Sequence, residues 1–594
     1  MITKIEKTNT IQRPRRQRKM NTRERFQRPE KKVSMLRSND KIFRIIPLGG
    51  QEEVGRNMTL FEYGGDIVIL DIGLQFPEEN MPGIDYIIPD IRILKGKEKN
   101  IRGVILSHGH LDHIGAAAHI LPRLGWPIVY GSRLTLALVK KRLEEAKLLH
   151  NFRSQEITSV DTKLKLGKIT VSFFDVTHSI MDALGVIIQT PAGNAIHMGD
   201  WRYDLDPASG GKITNFSHLA RWNTQKIPAL LMMESLGTTK PGHQMSTKQV
   251  HENLKKIVEQ VPGRIIIATF SSMVERVGQL IAIAEACGKK VALDGYSMKI
   301  NIEIAKKIGY IKFNPNTLID VSKINDYPEN KVIVICTGAQ GEDRAVLMRI
   351  ATGEHRHIRV QPKDTIVFSS SVIPGNERSI QALKDKLYRL GAQVLHQEIM
   401  DVHASGHALI EDIKLLLRQT QPKYLMPVYA NHYLLREGAK VAESVGFPKE
   451  NIFILDNGSI LEWTKAGPRI NPHKTPIEYV YVDGLGVGDV SHVVLRDRQM
   501  MAGDGMIVVI ATIDTKNGKL VHNPDLISRG FVYMKENKSL IEETRKKVKK
   551  MFATNLDANL DENYYKDKIR NDIGQFLYQK TQRRPMVLPV IIKV

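Results

Sequence analysis

Short apolar runs alternate with amphipathic stretches along this chain from about residue 41 onward. The runs at 67–70, 103–106 and 186–188 each predict a buried strand, because they are short and bounded by turn or helix signals. Residues 132–150 instead place apolar side chains at helical spacing and charged ones between them. This alternation predicts an α/β protein in which helices cover stacked sheets.

A second α/β pattern begins after Glu234, and a third lies near the C-terminus. Buried strands are predicted at 264–269, 291–294, 332–337 and 365–369. The glycine and prolines of 465–476 indicate a linker, and beyond it strands at 506–513 and 587–594 flank a helical segment at 539–552. With 594 residues, the chain is too long for one core, so two to four domains are expected.

Charge favours a polyanionic partner. The formal net charge is +22, and residues 1–40 contribute +9 of it, from thirteen basic and four acidic residues, which leaves the rest of the chain basic as well. The Arg, Pro, Gln and Asn content of residues 1–40 predicts a disordered extension. Its charge fits either a solvated tail or loose, salt-dependent RNA binding.

The sequence argues against membrane and redox functions. No apolar run is long enough to span a bilayer, and no hydrophobic stretch follows the basic N-terminus, so we expect a cytoplasmic protein. Cys287 and Cys336 are the two cysteines, which excludes a disulfide framework and a thiolate zinc cluster.

Three histidines and an aspartate fall within six residues, directly after the predicted strand 103–106. His108 and His110 are spaced to bind one metal ion from a loop, and Asp112 and His113 can serve a second ion. A polar loop that happens to contain histidines is the alternative. The density of imidazole and carboxylate groups favours the metal site.

Further ligands are expected at the ends of later strands, since such sites gather side chains from several loops. His178 follows the alternating run 169–176 and can complete the first imidazole set. Asp200 ends the short apolar segment 195–200, and its carboxylate can bridge both ions. Taken alone, His178 would be interpreted as a hydrogen-bonded core histidine, but its place between the histidine loop and Asp200 favours a ligand.

These residues resemble those of the metallo-β-lactamase superfamily and, within it, the β-CASP nucleases of the ribonuclease J family. The resemblance extends from about residue 41 to the C-terminus. Its later landmarks are Glu234 within Met-Met-Glu-Ser, the segments 336–342, 373–377 and 403–408, and the C-terminal segment 583–590.

The resemblance implies a specific architecture. A metallo-β-lactamase αββα sandwich would comprise residues 41–235 and 381–463, with a β-CASP α/β domain at 236–380 inserted into it. Residues 464–478 would be the linker and 479–594 a small C-terminal α/β domain. Composition and periodicity alone do not reveal the insertion.

The resemblance also implies a two-metal ribonuclease, with zinc or manganese as the ions. His108, His110, His178 and Asp200 would hold one ion, and Asp112, His113 and the shared Asp200 the other. Glu234 occupies the position of the family's acidic proton-transfer residue, usually Asp, and His407 that of its catalytic histidine. Without the family, Glu234 would be read as an ordinary N-cap or salt-bridge carboxylate.

The segment His403, Ala404, Ser405, Gly406 and His407 can wrap a phosphate through the Ser405 hydroxyl and backbone amides. The family resemblance implies single-stranded RNA as substrate, with a preferred 5′-monophosphate end. It further implies 5′-to-3′ exonuclease activity, with internal cleavage as an additional activity, in RNA maturation and mRNA decay. A dimer, a tetramer or a hetero-oligomer with a paralogue is implied by the same similarity.

Two positions depart from the family pattern. Tyr429 stands where the family has a metal-binding histidine, and a neutral phenol with a pKa near 10 is a poor zinc ligand, so the second ion should bind more weakly. His432, three residues on, could replace it only if the loop changed. Glu275 stands where the family commonly has His or an aromatic residue. Both departures suggest a diverged second paralogue.

Three hypotheses follow. The first is an active metal-dependent ribonuclease. The second, motivated by Tyr429, is a weakly active or non-catalytic RNA-binding partner of an active paralogue. The third, a small-molecule hydrolase that shares the metal loop, does not need the inserted domain, the 403–407 segment or a basic surface.

Overall fold

The computed structural model describes residues 41–208, 213, 217, 229–342, 344–373, 375–515, 518–534, 536–553 and 562–594. The predicted disordered extension at 1–40 lies outside the described residues, as does Pro374 in the 373–377 landmark.

Before the predicted insertion, strands alternate with short helices. The elements are β1 (Phe43–Gly49), β2 (Met58–Tyr63), β3 (Asp66–Leu70), β4 (Tyr86–Ile88), β5 (Ile101–Ile105), α1 (Leu111–Ile114), α2 (Ala117–Arg123), β6 (Val129–Gly131), α3 (Arg133–Glu145), β7 (Ser154–Glu156), β8 (Lys163–Leu166), β9 (Ile169–Asp175), β10 (Leu184–Gln189), β11 (Asn194–His197) and β12 (Ala229–Glu234).

The middle of the chain has longer helices between its strands. The elements are α4 (Thr247–Gln260), β13 (Ile265–Ala268), α5 (Val274–Ala286), β14 (Lys290–Asp294), α6 (Tyr296–Lys307), β15 (Leu318–Ile319), β16 (Val332–Cys336), α7 (Val346–Ala351), β17 (Thr365–Phe368), α8 (Glu377–Arg389), β18 (Gln393–Leu395), α9 (Ile410–Thr420), β19 (Tyr424–Val428) and α10 (His432–Ser444).

The last part contains seven strands and three helices among the described residues. The elements are β20 (Leu461–Thr464), β21 (Gly467–Ile470), β22 (Val480–Asp483), β23 (Gly486–Val487), α11 (His492–Asp504), β24 (Met506–Ile513), β25 (Asp525–Arg529), α12 (Lys538–Ala553), α13 (Glu562–Thr581) and β26 (Met586–Lys593).

Two sheets form the predicted sandwich. The first has the order β21-β20-β1-β2-β3-β5-β6-β7 and the second β19-β12-β11-β10-β9-β8. Apolar side chains from both sheets, such as Phe61 and Phe173, form one buried cluster between them. Helices α9 and α10 cover the outer face of the second sheet through side chains such as Leu416 and Ala442. The αββα arrangement is therefore confirmed.

The chain leaves this sandwich after β12 and returns to it at β19, which pairs directly with β12. Between them lies a parallel sheet of order β15-β14-β16-β13-β17-β18. Strands β13, β16 and β17 are buried at every position, because helices cover both faces of the sheet. The predicted insertion is therefore present.

The predicted end of the insertion at residue 380 is too early. Strand β18 pairs with β17 in the inserted sheet, and Leu383 and Leu387 of α8 belong to the core on one face of that sheet. Further along, Val402 and Ala404 still belong to the core on its other face. The apolar pattern of an amphipathic helix shows which face is buried but not against which sheet.

The predicted linker and C-terminal boundary also differ from the structure. Strand β21 lies within the predicted linker 464–478 and pairs with β20 of the sandwich. Strand β22 pairs with β4, although the sequence assigned it to the C-terminal domain. The three-stranded C-terminal sheet β25-β24-β26 begins at Met506 and buries one face under α12 and α13. No helix in the described part of the chain has the length and apolar character needed to cross a membrane.

Candidate active site and metal centre

The ends of four strands in the second sheet bring predicted site residues together. Strands β11, β12 and β19 are parallel neighbours, and β9 runs in the same direction because two antiparallel pairings separate it from β11. The carboxyl ends of these strands therefore share one edge of the sheet. His178 follows β9, Asp200 follows β11, Glu234 ends β12, and Tyr429 follows β19.

The histidine loop approaches the same edge from the first sheet. It follows β5, and His110 immediately precedes the short helix α1, which carries Asp112 and His113. His108 and His113 are fully buried. Six predicted metal ligands, from two sheets, thus meet at one place.

The first donor cluster consists of His108, His110, His178 and Asp200, whose candidate ligand atoms all lie within 4.8 Å of one another. His110 Nδ1 lies 3.1 Å from Nε2 of His108 and 3.1 Å from Nε2 of His178. Asp200 Oδ2 lies 3.7 Å from each of those two Nε2 atoms. Three imidazoles and a carboxylate match the ligand number and chemistry of a tetrahedral zinc site.

Burial keeps the imidazoles of this cluster neutral. It lowers the pKa of His110 to about 4 and holds the pKa values of His108 and His178 well below the ordinary value. Neutral imidazole is the form that binds a metal ion. His178 is also fixed in orientation, because its Nδ1–H donates to the carbonyl oxygen of Gly406 at 2.8 Å.

The second donor cluster consists of Asp112, His113 and the shared Asp200. His113 Nε2 lies 3.4 Å from Asp112 Oδ2 and 3.5 Å from Asp200 Oδ2. Burial would lower the pKa of His113, but the surrounding carboxylates outweigh it and hold that pKa well above the ordinary value. His113 would thus have to give up a proton to bind an ion, and with it the cluster offers three side-chain donors, of which Asp200 also belongs to the first cluster.

Tyr429 lies next to the second cluster but does not supply a metal ligand to it. Its ring centroid lies 5.3 Å from that of His113, and its hydroxyl donates to Asp71 Oδ2 at 3.4 Å. Burial holds the pKa of this phenol well above its ordinary value, so its oxygen retains the proton.

Asp71 is a positioning residue that the sequence analysis missed. Its Oδ2 accepts the Nδ1–H of His113 at 2.8 Å, and its two oxygens also accept hydrogen bonds from Ser107 N and Oγ, both at 2.8 Å. These contacts orient the His113 ring, as carboxylate partners of metal-bound histidines do. A carboxylate directly after the buried strand β3, which neighbours β5, is the sequence signal that could have identified it.

Glu234 and His407 form a hydrogen-bonded pair beside Asp200. His407 Nδ1 lies 2.8 Å from Glu234 Oε2, and Glu234 Oε1 accepts from Trp201 N at 3.1 Å. Burial lowers the pKa of His407, but the Glu234 carboxylate outweighs it and raises that pKa to about 9. Candidate ligand atoms of Asp200, Glu234 and His407 lie within 4.8 Å of one another, so the predicted proton-transfer pair adjoins the first donor cluster.

The predicted phosphate-binding segment is only partly accessible. His403 and Ala404 are 2% exposed and belong to the protein interior, whereas the side chains of Ser405 and His407 are half-buried. Position 406 requires a glycine because its backbone lies close to the His178 ring: a Cβ there would be 2.5 Å from His178 Cε1. Of the four side chains in this segment, those of Ser405 and His407 are therefore the ones that reach the surface.

His432 and Glu275 lie at different places. The His432 side chain is 54% exposed, and its Nδ1 lies 3.3 Å from Glu52 Oε1, so it does not join either donor cluster. Glu275 lines a small cavity beside His178.

The first cluster fits a divalent cation well. Asp200 Oδ1 is buried and has no hydrogen-bond partner among the described residues, and the neutral imidazole nitrogens converge around Oδ2. A cation would satisfy acceptors that hydrogen bonds within the protein leave unmatched. The second cluster fits a cation with fewer protein donors, because the Tyr429 phenol stays protonated and hydrogen bonded to Asp71, and a neutral phenol is a poor zinc ligand.

Comparison with known proteins agrees with this geometry. Residues 52–267 match the model of the metallo-beta-lactamase superfamily, residues 262–387 match the ribonuclease J beta-CASP domain, and residues 493–594 match the ribonuclease J C-terminal domain. The fold and the site together define a metallo-β-lactamase protein with a β-CASP insertion, a class of metal-dependent nucleases.

The similarity to full-length relatives is more specific. The chain is 36% identical to ribonuclease J 1 of Streptococcus pyogenes, over 92% of this chain and 97% of that protein. It is 35% identical to ribonuclease J2 of Bacillus subtilis, over 94% of this chain and all of that protein. The chain belongs to the ribonuclease J family. A crystal structure of a protein of unknown function from Enterococcus faecalis shares the fold at 16% identity, with a TM-score of 0.50 over 71% of this chain and all of that one.

Proposed function

We propose that this protein is a metal-dependent ribonuclease that hydrolyses phosphodiester bonds of single-stranded RNA. The observation that carries the proposal is the convergence of the four-donor cluster with the Glu234–His407 pair at one sheet edge. Family membership supports the nuclease class. Digestion from the 5′ end, with a preference for 5′-monophosphate and with internal cleavage as an additional activity, is proposed from the family alone.

His108, His110, His178 and Asp200 would hold one divalent ion, zinc or manganese, and Asp112, His113 and Asp200 a second. When bound, such ions neutralise charge on the phosphate and make a water molecule more acidic. Asp71 keeps the His113 ring oriented through its 2.8 Å hydrogen bond. The Gly406 carbonyl does the same for His178.

His407 and Glu234 would handle the proton for the leaving oxygen. The Glu234 carboxylate accepts the Nδ1–H of His407, which stabilises the protonated ring and leaves Nε2 to exchange a proton. Trp201 N fixes the carboxylate in turn. Ser405 and backbone amides of its segment would contact a neighbouring phosphate.

The basic composition of the chain supports an RNA substrate. The net charge of +22 would attract a polyanion and make its binding salt-dependent. A cytoplasmic location, and assembly into homodimers, tetramers or hetero-oligomers with a paralogue, are proposed from the sequence and the family.

A second candidate is a weakly active or non-catalytic RNA-binding subunit that assists an active paralogue. The specific observation that favours it is Tyr429, which occupies the position next to His113 without offering a ligand. Reduced activity would follow from weak binding of the second ion.

A decay assay separates the two candidates. Purified protein is incubated with a 3′-labelled single-stranded RNA carrying a 5′-monophosphate, with manganese or zinc, beside Glu234→Gln and the surface control Glu252→Gln. Metal-dependent decay that is lost in Glu234→Gln and retained in the control supports the enzyme. RNA binding without decay in all three proteins supports the partner subunit, and absence of both binding and decay contradicts both candidates.

A further inference from the structure

Asn57 lies among the ligand atoms of the second donor cluster, although the sequence analysis did not single it out. Its Nδ2 lies 3.0 Å from His113 Nε2 and 3.3 Å from Asp112 Oδ2, and those two atoms are 3.4 Å apart. Separations of this size also occur in the first cluster, where His110 Nδ1 lies 3.1 Å from His108 Nε2. The Asn57 amide is therefore as close to the second cluster as a metal ligand would be.

The backbone of Asn57 is held against the loop that carries those ligands. Asn57 immediately precedes β2, and its N–H donates to the Asp112 carbonyl oxygen at 3.0 Å. Its own carbonyl oxygen accepts from Gly73 N at 2.9 Å, and the residue is 1% exposed. Because the backbone is fixed and the side chain is buried, the main freedom left to the amide group is rotation about the Cβ–Cγ bond.

The amide oxygen of Asn57 has surroundings that do not suit it. Oδ1 is buried and has no hydrogen-bond partner among the described residues. A Cβ at Gly50 would lie 2.4 Å from this oxygen and 2.9 Å from Tyr429 Cδ1, so the oxygen lies against a glycine and beside the tyrosine ring. A buried acceptor without a partner is unfavourable, and native structures rarely leave one unless an ion or a water molecule meets it.

A half-turn about the Cβ–Cγ bond exchanges the amide nitrogen and oxygen of Asn57, because the two ends of an amide have nearly the same shape. Oδ1 would then lie where Nδ2 now lies, beside His113 Nε2 and Asp112 Oδ2. A divalent ion at the cluster favours that orientation, since it attracts the carbonyl oxygen and repels the N–H groups. Carbonyl oxygen is also a ligand that suits manganese.

We propose that Asn57 is a further ligand of the second donor cluster, and that its amide oxygen turns toward the divalent ion held by Asp112, His113 and Asp200. The inference rests on the proposed function, which assigns an ion to that cluster. The amide adds an oxygen donor where Tyr429 supplies none. Because an amide is neutral, it attracts a cation less than a carboxylate does, and the second ion should still bind more weakly than the first.

Manganese affinity measures this role without turnover. The metal-free full chain is titrated with manganese by calorimetry, beside Asn57→Ala and Asn57→Leu, of which the second is close to Asn in size but has no polar atom. We expect both variants to bind the second ion at least about tenfold more weakly, the lower end of what losing a hydrogen-bond partner of a metal ligand costs. Affinity for the first ion is the internal control for folding and should stay as in the parent. The exposed Asn316→Ala should change neither affinity.

The direction of the change separates two roles for the amide. If the Nδ2–H groups of Asn57 instead block the cluster, both variants should bind the second ion more tightly. That result, or an unchanged second affinity, would overturn the inference while the proposed function stands. A parent that binds one manganese ion alone also overturns the inference, whereas a parent that binds none contradicts the proposed function as well.

A crystal structure of the manganese-loaded parent decides the matter if both Asn57 variants lose the first ion too. An amide atom of Asn57 within about 2.6 Å of the second ion supports the inference, because the oxygen can approach a cation so closely and the N–H groups cannot. A longer distance overturns it.

Discussion

The two donor clusters of this site share Asp200 but differ in how their remaining positions are filled. In the first, three neutral imidazoles from two sheets surround the carboxylate. In the second, His113 and Asp112 lie beside Tyr429, whose hydroxyl donates a hydrogen bond to Asp71. The fold thus brings together two donor clusters that could hold metal, and only the first offers four side-chain donors.

The comparison teaches that strand ends and single side chains contribute separately to this site. Strand ends place the residues, and Asp71 orients the His113 ring at 2.8 Å. Tyr429, which follows β19, would decide how many side-chain donors a second ion finds.

The largest expected effect comes from the residue that both clusters share. Asp200→Asn removes charge from both donor sets, so retained metal should fall to background. RNA decay should fall by more than the roughly 10²-fold to 10⁴-fold that loss of one proton-transfer residue costs. Elemental analysis and the decay assay check this, with the exposed Asp206→Asn as a control. Normal metal content in Asp200→Asn would remove the basis for comparing the clusters.

The next effect should separate chemistry from metal binding. His407→Gln removes the imidazole that is paired with Glu234. Because His407 belongs to neither the first nor the second donor cluster, metal content should not change. We expect turnover to fall by about 10²-fold or more. The exposed His150→Gln should behave as the parent does. Loss of metal in His407→Gln would assign this histidine to metal binding instead.

A smaller effect should fall on one cluster alone. Asp71→Asn weakens the acceptor that orients His113, so affinity for the second ion should fall about tenfold to hundredfold. Affinity for the first ion should remain as in the parent, which makes it the internal control. Calorimetric titration of the metal-free protein with manganese measures both. Equal losses at both sites would show that Asp71 supports the whole centre.

The smallest effect should be a gain. Tyr429→His supplies an imidazole beside His113, and the second ion should bind about tenfold more tightly, or by 1.4 kcal/mol. Tyr429→Phe removes the hydroxyl without adding a donor and should show no such gain. If Tyr429→His leaves the second affinity unchanged, the tyrosine is not what limits that site.

Much of the site could be predicted because its chemistry is local in the sequence. The ligands of the histidine loop fall within six residues, and His178 and Asp200 each follow a short strand. Glu234 and His407 were assigned from the family resemblance, and their 2.8 Å contact joins residues 173 positions apart, which no local pattern contains. Asp71 was missed because its one sequence signal, an aspartate directly after a buried strand, does not show which residue it contacts.

The architecture was predicted more reliably than its boundaries. Buried strands such as β13 and β16 are evident from their branched apolar residues, whereas β18 has one fully buried residue, Val394, and gives little signal. Strand β22 pairs with β4, which is far away in sequence, and β21 forms a hairpin with β20. For that reason the linker was predicted where the chain continues to form sheet.

Metal stoichiometry tests the central claim most directly. Metal-free protein is titrated with manganese and followed by native mass spectrometry, which counts ions per chain. Because the two clusters differ in their number of side-chain donors, we expect one ion to bind at low manganese concentration and a second only at a clearly higher one. Two ions bound with equal affinity, or none at any concentration, would contradict it.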